Sequence, residues 1–125
     1  MKIMWWRIII AAVVLEFLYA GFLYQVLGDA QLAFAPVGLI SVGVFMLLGG
    51  ALIAWTAPSR KLLQGTLVGV VAVVFYTLLT IPVMLSGELQ ITGPLLLNHL
   101  LKLVGAAIGS LIGTALGQAS RHGDA

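Results

Sequence analysis

The chain has 125 residues, 62% of them hydrophobic and 8% charged, with a mean hydropathy of +1.16. Soluble domains carry roughly 25% charged residues, and one this short could not hide so much apolar surface in a single core, so one integral membrane domain over residues 1–125 is expected. The absence of cysteine removes disulfides, thiolate catalysis and cysteine metal sites, and the net charge of +2 comes from basic residues placed singly or in one pair, with no basic stripe to track nucleic acid.

Four apolar runs follow in chain order, each near the ~20 residues that cross ~30 Å of hydrocarbon as a helix. The first, over residues 7–27, begins behind Trp5-Trp6-Arg7, contains Glu16 and ends at Leu27-Gly28-Asp29. Ala33-Phe34-Ala35 looks like a signal-peptide exit, but Glu16 interrupts the would-be apolar region and the run is long enough to span, so it is expected to stay as a helix. The second run, 35–55, opens at Pro36, and Ala57-Pro58-Ser59-Arg60-Lys61 separates it from the third. Its small residues form two faces, Gly38/Ser41/Gly49 and Gly43/Gly50/Ala54, which predicts contact with two partners.

The third run, 63–85, aligns Gly65, Gly69, Ala72, Tyr76 and Thr80 on one side and holds Pro82 in its last turns, where a bend or loosening is expected. Ser86-Gly87-Glu88 and Thr92-Gly93-Pro94 bracket the final connection, and the fourth run covers 94–117. None of the runs alternates polar with apolar residues as barrel strands do, and helices satisfy their own backbone in lipid. The predicted fold is all-α, a four-transmembrane-helix bundle. Lys2, Arg7, Arg60, Lys61 and Arg121 fall on one side of it, whereas the other holds Asp29 and Glu88. The positive-inside rule makes the first side cytoplasmic, and Trp5, Trp6 and Trp55 cluster at that same interface. Both termini are therefore expected in the cytoplasm.

Glu16 and Lys102 are the residues most at odds with lipid, since an ionisable group in mid-bilayer is expensive unless paired or functional. Counted along their helices, they lie about 13 Å and about 18 Å above the cytoplasmic face. A lysine stem spans that difference, which brings the two within reach as an ion pair between the first and fourth helices. Asn98, Lys102, Gly105, Gly109 and Gly113 share one stripe of the fourth helix, and Ala12, Glu16 and Ala20 one stripe of the first. The series Gly105, Gly109, Gly113, Gly117 is a glycine-zipper pattern for close packing, echoed by Gly65 and Gly69. On a common depth scale Tyr19, Ser41 and Tyr76 join Lys102, with His99, Tyr24 and Thr80 about a turn further out. A buried polar layer of Glu16, Lys102, Tyr19, Tyr76, His99 and Asn98 is predicted.

The ion pair can be read as a structural pin for helix register or as a proton or substrate site. His99 reads as a hydrogen-bonded interface residue, because a metal site needs several such ligands. No catalytic motif occurs, and Asp29 and Asp124 lie on opposite sides, which rules out an aspartyl dyad. No enzyme activity, cofactor or metal is expected.

Glu16 in the first of four short helices resembles the small multidrug resistance transporters. That resemblance implies a proton-coupled carrier in which Glu16 alternates between protons and cations, working as an antiparallel dimer. The family's tryptophan-containing stretch in the third helix is absent here, and Lys102 would neutralise the carboxylate such a carrier needs. Trp5-Trp6-Arg7, Glu16 and Asn98-His99-Leu100-Leu101-Lys102 before glycines are similar over most of the chain to a family of uncharacterised small four-helix bacterial membrane proteins. This second likeness implies an inner polar layer and nothing more, and the expected location is a bacterial inner membrane. The expected function is that of a structural or accessory protein, with a proton-coupled transporter using Glu16 as the alternative. The lipid bilayer is the expected partner. Another membrane protein or a second copy of the chain stays open as a protein partner, and a third reading places an anionic lipid at the Arg60–Lys61 loop.

Overall fold

Helices are the elements that close every backbone hydrogen bond within one segment, and the computed structural model consists of them. It describes residues 3–28, 35–57, 60–87 and 92–123, with side chains described as far as Gln118. Lys2, Asp29, Ala33, Phe34, Pro58, Ser59, Glu88, Asp124 and the Arg121 side chain, all used above, lie outside the described residues. Helix α1 covers Trp5–Phe22 and continues as a wider π-helical turn over Leu23–Leu27. Gly28, at φ +77, closes that turn by donating to the Leu23 carbonyl, and this left-handed backbone is one that glycine adopts without a Cβ clash.

Helix α2, Pro36–Thr56, starts on its proline, whose missing N–H costs nothing at a first helical position. Arg60, a non-glycine residue at φ +47, then reverses the chain into α3, Lys61–Leu85. Pro82 withholds one N–H from the α3 ladder, and the helix closes three residues later at Leu85. Helix α4 runs over Gly93–Gly123. All four helices are long and apolar enough to cross a membrane, over Trp5–Leu27, Pro36–Thr56, Lys61–Leu85 and Gly93–Gln118. The boundaries at Trp5, Pro36, Thr56 and Gly93 differ from the predicted ones by one or two residues, and two others are extensions beyond the apolar run. Helix α3 begins at Lys61 rather than residue 63, and α4 continues past Gly117. In both places the run of continuous apolar residues stops while the hydrogen-bond ladder goes on through mixed polar residues.

Packing follows the small residues. The widest interface joins α2 and α4. There, added Cβ atoms on Gly105, Gly109 and Gly113 would meet the carbonyl oxygens of Gly43, Leu47 and Ala51, the first at 2.5 Å. Two helices approach this closely only where side chains are absent. Helix α3 packs on the same pair: a Cβ on Gly65 would lie 2.6 Å from the Gly50 oxygen, and one on Gly69 would lie 2.6 Å from the Lys102 oxygen. Gly117 departs from the predicted series. Its nearest neighbours would be Lys61 Nζ at 3.1 Å and the Trp55 oxygen at 3.4 Å, because α2 ends beside it and a lysine side chain fills the widening gap.

Helix α1 lies on α2 and α3, away from α4. Ile8 and Ala12 meet Met46, Ile53, Val68, Ala72 and Ala106 in one buried cluster, while Tyr19, Leu23 and Val42 form another. The two small faces of α2 are used separately: Gly49 abuts Leu15 of α1 and Val68 of α3, whereas Gly50 abuts the Ala106 backbone of α4. Large apolar side chains such as Ile10, Phe17, Leu48, Leu52, Leu79 and Leu111 are turned outward. Exposed apolar surface of this extent is what a lipid-facing bundle presents. The start of α1, the end of α2, the start of α3 and Gly117 of α4 meet at one end, the tryptophan end.

Candidate functional site

The side chains of Glu16 and Lys102 meet inside the bundle, with Lys102 Nζ 2.8 Å from Glu16 Oε1. Lys102 is 1% exposed and Glu16 10%. Because the backbones of α1 and α4 have little close approach, the lysine stem carries the contact from one helix to the other. The approach is not that of a well-directed hydrogen bond, and no other donor reaches Glu16 Oε1. The ring of Tyr76, on α3, lies 4.4 Å from the same ammonium, near enough for its negative face to attract the charge. His99 of α4 packs edge-on against that ring at 5.1 Å, and its Nδ1 is buried without a hydrogen-bond partner.

On the outer side of the pair, away from the tryptophan end, the Tyr19 hydroxyl donates to the Gly38 carbonyl at 2.9 Å, and Asn98 Nδ2 donates to the Tyr19 oxygen at 3.5 Å. The six predicted layer residues are thus drawn from α1, α3 and α4, and α2 joins them through backbone. Three other candidates do not join. Ser41 donates to Val37 and Thr80 to Tyr76, each back onto its own helix, and Tyr24 is 64% exposed. A hydroxyl at the right depth still has a carbonyl of its own helix one turn away, and that local bond wins when no partner faces it.

A second polar layer, at the tryptophan end, was not predicted. Gln64, fully buried, accepts from the Met4 backbone N–H at 2.9 Å through Oε1. The buried Ser110 hydroxyl lies 2.7 Å from the Leu62 oxygen and 3.2 Å from that of Lys61. Lys61 Nζ donates to the carbonyls of Ala54, Trp55 and Ala57 at 3.2, 3.2 and 2.6 Å. These are oxygens left over at the end of α2, where a cation is also favoured by the helix dipole. Arg7 donates to the Thr56 hydroxyl and, at 3.1 Å, to the Met4 sulfur. The available signal was a lone Gln or Ser beside the glycines of α3 and α4. Lys61→Met should lower stability by about 1 kcal/mol, read as a lower midpoint of thermal unfolding in detergent with the bundle still formed.

Chemically, the central site holds one carboxylate and one ammonium that cancel each other. Among the described residues no three His, Cys, Asp or Glu side chains are placed to hold a metal ion. No family model, curated protein or solved structure matches the chain.

Proposed function

We propose that this is a small structural or accessory protein of the bacterial inner membrane, with both termini cytoplasmic, whose buried polar layer holds its helices in register. The observation that carries the reading is the internal charge pairing of Glu16: a lysine 1% exposed stands 2.8 Å from it, supplied by α4, which also reaches α1 through Asn98 and Tyr19. A carboxylate that is neutralised from within the same bundle is poorly suited to exchange cations. It is well suited to fix which turn of α1 faces which turn of α4, a use that buried polar groups have elsewhere.

The test is proton movement. Proteoliposomes loaded with a pH-sensitive dye should show no proton flux that depends on Glu16. Flux abolished by Glu16→Gln would reject the structural reading in favour of the proton-coupled transporter. Orientation is checked separately, since the chain has no cysteine of its own. Single cysteines at Gln118 and Ser86 should label from opposite sides of the membrane, with Gln118→Cys on the cytoplasmic side.

A further inference from the structure

The basic residues at the tryptophan end divide into two kinds. Lys61 is turned inward onto the last carbonyls of α2, so the loop pair named from sequence is not what this end presents. Arg7 and Arg60 are exposed instead. Arg7 is held at the last turn of α2 by neutral groups alone, the Thr56 hydroxyl and the Met4 sulfur. Among the described residues nothing compensates its charge, and a guanidinium has five N–H donors, so others remain to be used. Arg60 follows Thr56 by four residues, at the entry to α3. Among the described residues the ion pair is Glu16–Lys102, and no carboxylate meets either arginine. The bond from Met4 to Gln64 ties the start of α1 to this same corner. Trp5, Trp6 and Trp55 stand there 50%, 78% and 50% exposed.

We propose that Arg7 and Arg60 form a binding surface for the headgroup of an anionic phospholipid, with the three tryptophans against its glycerol and upper acyl region. Charge complementarity selects the occupant: two exposed guanidinium groups match the phosphate geometry, and the indoles prefer the depth at which a headgroup meets its chains. The proposal rests on the reading that this end lies at a membrane surface.

All the tryptophans of the chain are at this end, so their fluorescence reports on it directly. The full chain is reconstituted in bilayers containing acyl-brominated phosphatidylglycerol or phosphatidylcholine, and quenching is titrated. Phosphatidylglycerol should quench at the lower mole fraction. Its advantage should fall about fivefold for each of Arg7→Gln and Arg60→Gln, the factor expected for one arginine near a charged surface. High salt should reduce it too. Lys61→Met should leave it unchanged, because that ammonium is already engaged. Equal quenching by the two lipids overturns the binding surface while leaving the bundle in its bilayer; quenching by neither overturns the membrane placement as well. A preference lost in Lys61→Met but kept in both arginine variants overturns the assignment of residues.

Discussion

Lys102→Met is expected to destabilise the bundle by about 3–5 kcal/mol, and Glu16→Leu by a similar amount, because each leaves one buried charge without its counter-charge. The double variant should be less damaged than either single one. With both charges gone, apolar side chains of comparable length occupy the space between α1 and α4, and replacing a buried pair by packed hydrophobic groups is often neutral or better. The coupling obtained from unfolding in detergent should be about 2 kcal/mol or more, well above the ~0.3–0.5 kcal/mol within which independent sites add. Losses that simply add would show that the 2.8 Å contact does not hold the helices together, and with it the register role would fall. Tyr76 provides an internal check. Tyr76→Leu removes the ring 4.4 Å from the ammonium and should cost about 1–2 kcal/mol with Lys102 present and little in the Lys102→Met background.

The bundle itself was legible because lipid leaves few choices. An apolar run of about 20 residues has to be a helix there, and small residues four apart mark where two of them meet. Helix ends were read less well, since Lys61 and the residues beyond Gly117 are polar yet helical, and polarity marks the membrane edge rather than the last hydrogen bond. Glu16 and Lys102 stood out as charges in apolar segments, and counting turns placed them at similar depth. Depth says nothing about direction, which is why Ser41, Thr80 and Tyr24 can share the depth of the layer without joining it. Lys61 turns inward directly after Arg60, whose left-handed backbone, φ +47, is a conformation that local pattern does not announce. Gln64 and Ser110 were missed for a related reason: their partners are backbone groups, the Met4 N–H and the oxygens of Lys61 and Leu62. Those positions exist only once α1, α3 and α4 are assembled.

The glycines of α2 and α4 should respond very differently to the same methyl group. A Cβ on Gly109 would fall on the Leu47 carbonyl group, where the oxygen, carbon and Cα of that residue all crowd it. Backbone cannot step aside as a side chain can, so Gly109→Ala should cost about 1–3 kcal/mol, and Gly109→Val, with two further methyl groups, should prevent α4 from seating on α2. Gly117→Ala meets first the end of the Lys61 side chain, at 3.1 Å, which is free to shift, so its effect should stay within about 0.5 kcal/mol. Gly43→Ala is the informative control. Its carbonyl touches Gly105, but a Cβ on Gly43 itself would have nothing within 4 Å, so the gain in helix propensity, about 0.5–1 kcal/mol, should show as a slight stabilisation. Unfolding of the three alanine variants in one detergent should therefore rank them Gly43→Ala, Gly117→Ala, Gly109→Ala from most to least stable. If Gly109→Ala were as benign as Gly43→Ala, α4 would not lie against the α2 backbone, and Lys102, on the same face two turns away, would lose the scaffold that aims it at Glu16.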